Sequence, residues 1–166
     1  LTPLPEPIDR VLASLTNKFP EILQVQAFDV DGSLTFSSLV NPPIVSIADR
    51  EHFRESKERP DTTIRFTNVL QLKSTGSNSV LAYRSIVGPR GEFLGMVTSA
   101  IDLAYFAKLF SELDMGNTGM VSIRRSDDSR LLVRWPIVEK EINKTAEKTP
   151  PYLLIKEGKS EGVIRY

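Results

Sequence analysis

The chain has no cysteine, a single histidine, a single tryptophan and no net charge. Each shortage removes a class of function. Without cysteine there is no disulfide, no thiolate metal site and no thiol nucleophile. His52, standing alone, cannot supply a multi-histidine metal centre. The 21 Lys and Arg residues balance 21 Asp and Glu residues, so no long-range field draws the chain toward nucleic acid or an acidic membrane. No segment approaches the ~20 apolar residues that span a bilayer, and none has the make-up of a signal peptide. No cofactor and no metal are expected from what remains. The opening Leu1-Thr2-Pro3 is expected of a piece cut from a longer protein.

What is present suits a globular fold. The 166 residues are enough for one domain, or one domain and part of another. Pro3, Pro5 and Pro7 make a stiff lead-in. Ile8, Val11, Leu12, Leu15 and Phe19 recur at helical spacing and predict an amphipathic helix ended by Pro20. In "ILQVQAF", Leu23, Val25 and Ala27 alternate with Gln24 and Gln26, which predicts a strand with one wetter face. "DVDG" is a turn signal, with "SLTFSS" as the return strand. Ser46 to Asp49 has the S-x-x-D form of a capping box and predicts a short charged helix over "DREHFRESKER". Three extended runs follow, "TTIRFTNVLQLK", "SVLAYRSIV" and "EFLGMVTSAI". The short joints "TGSN" and "GPRG" make them antiparallel neighbours.

The third run carries apolar residues at both parities, Phe93, Val97 and Ile101 against Leu94, Met96 and Ala100. It is expected to be covered on both faces and central. Asp102 closes it, and the pattern then turns helical through Leu103, Phe106, Leu109, Phe110 and Leu113. "MVSIRR" and "RLLVRW" flank the turn "SDDS" as a further hairpin closed by Pro136. "VEKEINKTAEK" reads as a connecting helix. After the break at Pro150-Pro151, "YLLIKEGKSEGVIRY" reads as the first strands of something further on. Strands joined without crossover helices favour an α+β domain on an antiparallel sheet.

Asp102 is either a helix N-cap or an acceptor at the rim of a pocket. Arg84, in the neighbouring strand, faces either outward or into a cavity, where its planar fork suits a carboxylate. Tyr83 faces the opposite way, so only one of the two can line a given cavity. The arginines of the last hairpin, with Asp127 and Asp128 between them, read as a self-paired surface.

Four pieces in order, "VQAFDVDGSLTFSS", "ADREHF", "LAYRSIVGPRGEFLGMVTSAIDLAYF" and "GNTGMVSIRRSDDSRLLVRWP", make the span from Ile22 to Pro136 resemble the extracytoplasmic PAS-like sensor domains called Cache or PDC domains. These occur in bacterial histidine kinases, GGDEF diguanylate cyclases and chemoreceptors. The resemblance implies a PAS-like central antiparallel sheet flanked by helices, and a sensor domain that is not itself an enzyme, its parent carrying a kinase or cyclase output. It implies a small-molecule ligand, a carboxylate or an amine, held between the sheet and the loop-helix segment that precedes the central strands. Carried over by position, the ligand-binding residues are Arg50 and Phe53 on the short helix, Tyr83 and Arg84 on the strand, and Asp102 at the seam. Asp49 is expected to cap the helix, and Arg65 and Phe66 are further candidates. The arginine-x-tryptophan-tyrosine cluster of amino-acid-binding members is not matched, and Trp135 reads as packing. The resemblance places residues 1–136 in a membrane-distal sensor domain and residues 137–166 in a connector and the start of a second module. It also places the chain outside the cytoplasmic membrane, in a membrane-anchored parent that could pair as a homodimer.

Two other readings compete. "FDVDGSL" matches the first motif of haloacid-dehalogenase-type phosphatases, with Asp29 as nucleophile, Asp31 as acid/base and Asp127-Asp128 as the late acidic pair. That chemistry needs a buried parallel strand, and no strand-helix-strand series follows. As a calcium loop the stretch fails, because its twelfth position is Val40. The third reading is an unliganded spacer that dimerises.

Overall fold

In a computed structural model that describes residues 8–164, two hydrogen-bonded hairpins meet side by side. The lead-in at Pro3, Pro5 and Pro7 lies outside the described residues. The chain divides into two compact units, residues 1–102 and 103–166. Pro136, where the sequence reading places a boundary, falls inside the second.

The first unit opens with helix α1 (Ile8–Thr16) and hairpin β1 (Ile22–Phe28) and β2 (Leu34–Ser37). Helix α2 (Glu51–Glu58) and two short strands, β3 (Arg65–Phe66) and β4 (Leu70–Gln71), come next. The long hairpin β5 (Asn78–Val87) and β6 (Phe93–Asp102) completes it. The sheet order is β2-β1-β6-β5-β3, with β4 also on β5, and every pairing is antiparallel. β6 is central, as its two-sided apolar pattern requires. The layer is not a plain meander, because β1 lies beside β6.

Glycine sets two features of this unit. At Gly95 (φ +145°) the β5–β6 ladder carries a bulge, and a Cβ there would stand 2.2 Å from the carbonyl oxygen of Phe28. The extra residue resets the alternation. Phe93 therefore packs with Met96 and Phe28 on one face while Leu94 is exposed, which corrects the assignment of Phe93 and Leu94 by simple parity. At Gly32 (φ +78°) the DVDG turn passes so close to Ala48 that a Cβ would meet its backbone nitrogen at 2.7 Å. That contact, with Ile47 N–H donating to Gly32 O at 2.9 Å, brings the segment before α2 over the sheet.

Several local expectations give way. The capping box at Ser46 is a tight turn instead, its hydroxyl accepting Ala48 N–H at 3.3 Å. The N-cap of α2 is Arg50, without a side-chain cap, and Asp49 is drawn to Lys73 at 2.5 Å. The long first run shrinks to β3 and β4 because Thr67 takes the Leu81 N–H on its own hydroxyl and ends the ladder there. α1 buries none of its residues, and Ile8, Val11 and Leu15 stay about half exposed.

The second unit runs from α3 (Leu103–Ser111) through hairpin β7 (Val121–Arg124) and β8 (Leu131–Trp135) to α4 (Pro150–Lys156). Ala107, Phe110 and Val133 form its core, with Phe106, Ile123 and Trp135 packed against them. The hairpin arginines are self-paired as expected, Arg125 with Asp127 and Arg130 with Asp128. The "VEKEINKTAEK" helix reduces to a 3-10 turn at Glu139–Glu141. Residues 143 and 144 exchange backbone hydrogen bonds with Leu131 instead of continuing a helix. The last segment is a helix, not a strand. Its two prolines occupy the first helical turn after the N-cap Thr149, and Gly158 takes φ +80° just beyond its end, the Pro-first, Gly-last pattern of a helix. Among the described residues no helix is long and apolar enough to cross a membrane.

Candidate functional site

β1 supplies the floor. The side chains of Gln24, Gln26 and Phe28 share one parity, and register pairs them with Ala100, Thr98 and Met96 of β6. All three side chains of β1 are buried, the two glutamines at 3% exposure. The wetter face of the sequence pattern is therefore the covered one. Phe28 at the same parity was the signal, since an aromatic at a strand end marks the inner face more surely than glutamine marks the outer.

Over this face lie the segment leading into α2 and the β4–β5 turn. Together they enclose a cavity of about 30 Å³, lined among others by Gln24, Gln26, Thr98, His52, Arg50 and Lys73. That is room for roughly two waters. Its roof is held by three bonds across the gap. Arg50 donates to Gln71 O at 3.1 Å, and Lys73 donates to Ser46 O at 2.8 Å and to the Asp49 carboxylate at 2.5 Å. Among the described residues no carboxylate pairs with Arg50.

The two glutamines of the floor are bonded in a short chain. Gln24 Nε2 donates to Gln26 Oε1 at 2.9 Å, and Ser74 Oγ donates to Gln24 Oε1 at 2.8 Å. Gln26 Nε2 reaches Ser37 Oγ at 3.5 Å, too long for a strong bond. His52 is 7% exposed and its Nε2 has no partner. Burial, helped by the Arg50 charge, pushes its pKa down to about 4, so the ring is neutral at pH 7. Its ring lies 5.4 Å from that of Tyr83.

The residues singled out from sequence scatter around this cavity. Arg50 lines it. Phe53 and Tyr83 belong to the adjoining apolar cluster with Phe28, Ile47 and Met96, Phe53 meeting Phe93 edge-on at 5.6 Å. Arg84 is exposed and, one residue from Tyr83, projects from the other face of β5. Asp102 sits on the cavity's face of β6 but at its far end, opposite Ser79 and outside the lining. Arg65 pairs with Asp61 and Phe66 is exposed. Sequence reasoning missed Gln24, Gln26, Thr98 and His52 as lining.

The phosphatase reading fails on topology. Asp29 stands in an antiparallel hairpin turn, where its Oδ1 accepts the N–H groups of Asp31 and Ser33, both at 2.9 Å. Asp31 is paired with Lys57 at the surface. Neither carboxylate lies at the end of a parallel strand.

An antiparallel five-position sheet with a cavity roofed by a loop-helix segment is the fold of PAS-like extracytoplasmic sensor domains of the Cache, or PDC, kind. Solved structures of that kind share it with this chain. The extracellular domain of a protein described as histidine kinase rpHK1S-Z16 matches 92% of the chain at 27% identity and TM-score 0.75. The ligand-binding domain of the Pseudomonas fluorescens chemoreceptor CtaA, in complex with L-isoleucine, matches 90% at 20% identity and TM-score 0.58. The sensor domain of the V. cholerae histidine kinase DctB matches 90% at 15% identity and TM-score 0.55. The chain spans 62%, 59% and 54% of those three chains. No family model and no curated protein sequence matches it.

Proposed function

We propose that the chain is an extracytoplasmic sensing module of a membrane-anchored signalling receptor, and that it binds a small molecule over the Gln24–Gln26–Thr98 face. The observation that carries this is the unpartnered Nε2 of His52 in a lining that also holds the buried amides of Gln24 and Gln26. Buried polar groups left short of partners cost stability and call for an explanation, and a ligand supplies one. CtaA, of the same fold, binds amino acids in three of its structures, which supports a ligand at this kind of site.

The 30 Å³ cavity is too small for a metabolite as it stands. Admission of a ligand requires the Arg50 and Lys73 bonds across the roof to exchange, and a ligand that holds the open or re-closed form shifts the population between them. The face also reaches α1, where Ser37 N–H donates to Asp9 at 2.7 Å, with Gln26 Nε2 3.5 Å from the Ser37 hydroxyl. The ligand screen tests the reading. A metabolite that raises the melting temperature should lose that effect in Gln26→Leu, which fills the same space without the amide. No rise across a broad panel would leave the spacer reading in its place.

A further inference from the structure

Among the residues that line the cavity, only His52 changes charge in mildly acidic water. It stands on the first turn of α2, 7% exposed, with Nε2 unpartnered. The segment before α2 brings Arg50 and Asp49 toward it, and the β4–β5 turn brings Lys73. Asp49 is largely exposed and tied to Lys73. β5 brings Tyr83, its ring 5.4 Å away and neutral throughout the acid range. β1 and β6 bring only the uncharged Gln24, Gln26 and Thr98. On α2 itself, Glu51, Arg54 and Glu55 are exposed. In the DVDG turn, Asp29 accepts the turn's own N–H groups and Asp31 pairs with Lys57.

A proton on this ring makes a third cation in a lining that holds two, Arg50 and Lys73, and no carboxylate. It also leaves a buried charge short of an acceptor, which costs more than a neutral nitrogen in the same place. Lifting the segment from the sheet relieves both, because water then solvates the ring. Few polar bonds oppose this. Arg50 holds Gln71 O, and Lys73 holds Ser46 O and Asp49. Ile47 and Phe53 are the apolar anchors, and they keep the lifted form rare while His52 is neutral. We propose that acidity is a second input to the module: protonation of His52 releases residues 46–56 from the sheet, with no small molecule required. The proposal rests on the sensing reading above for its use, since an extracytoplasmic module meets the acidity of its surroundings directly. Its chemistry rests on the geometry alone.

The test is amide hydrogen exchange of the free 166-residue chain, read as protection factors so that the intrinsic pH dependence of exchange cancels. The lifted form takes up its proton near the ordinary value of 6.5 and the seated form only near 4. Protection of α2 should therefore fall on the order of twentyfold between pH 7 and pH 5. At both pH values α2 should exchange faster than the central strand β6. His52→Phe should abolish the pH step. Should that variant not fold, His52→Gln is equally silent to pH and makes the same test. Asp49→Asn removes the carboxylate that Lys73 holds, so it should loosen α2 at both pH values and leave the step in place. A step that survives the His52 variants would overturn the proposal, as would one that Asp49→Asn removes. Protection in α2 equal to that of β6 at pH 5 would make the opening a global unfolding and overturn it too. An empty ligand screen leaves the pH step untouched, and a missing pH step leaves the ligand reading untouched, so the two fail separately.

Discussion

One face of the sheet holds two regions that obey opposite rules. Around Met96, the side chains of Phe28, Phe53, Tyr83 and Ile47 close on one another, with the Tyr83 hydroxyl as the one side-chain hydrogen-bonding group among them. Beside it, Gln24, Gln26 and Thr98 on the same strands and His52 on α2 are buried just as deeply, and His52 Nε2 has no hydrogen-bond partner. The first region stabilises the fold by removing apolar area from water. The second works against it, since each buried polar atom without a full partner costs about 1–3 kcal/mol. A sequence optimised for stability alone would carry the first pattern through both. A ligand on the polar half, as proposed, would account for the difference.

Substitutions separate the two halves, the largest effect coming from the seam that aligns them. Gly95→Ala should destabilise by more than about 3 kcal/mol, because the new Cβ meets the Phe28 carbonyl and the backbone there is left-handed. The midpoint of urea unfolding reads it. Met96→Ala, at a fully buried site, should cost about 2–5 kcal/mol in the same assay. The pH dependence comes next. His52 has a folded-state pKa near 4 against an ordinary value of 6.5. The unfolded chain therefore binds the proton more readily, and stability falls as pH drops from about 6.5 toward 4. Between pH 6.5 and 5.5 the loss should be about 1 kcal/mol, and His52→Phe should flatten that part of the profile. Asp127, held by Arg125 well below the usual carboxylate range, contributes its loss only at far lower pH.

Gln26→Leu should cost about 1–2 kcal/mol, less than Met96→Ala, because an apolar group of similar volume replaces the buried amide but Gln24 Nε2 loses its acceptor. If it costs as much as Met96→Ala, the two halves are not different in kind. Arg84→Ala should stay within about 0.5 kcal/mol and leave ligand binding intact, as an exposed residue on the opposite face.

The strands and hairpins were legible because they rest on short-range signals. The apolar run of β6 marked it as central, and the turns at Gly76 and Gly91 announced antiparallel pairing. The site was harder. Gln24 and Gln26 looked like an outer face because alternation reports two environments and not which one is inside. Arg84 and Tyr83 were known to point apart, but the side that holds the cavity depends on where the Gly32 turn brings the α2 segment, a contact sixteen residues away in sequence. Asp102 was correctly placed at the end of β6, yet a strand ten residues long runs well past the cavity. The register shift at Gly95 moved Phe93 to the inner face, and a bulge leaves no mark in a pattern of apolar residues. The helix at Pro150 was read as strand, although its paired prolines and trailing glycine are a start and a stop signal for a helix.

His52 is the sole histidine, so its ring gives one unambiguous set of signals by NMR. Those signals should titrate with a midpoint near 4 in the free chain and move when a ligand that raises the melting temperature is added. A stabilising ligand that leaves the His52 ring undisturbed would place binding elsewhere and contradict the account.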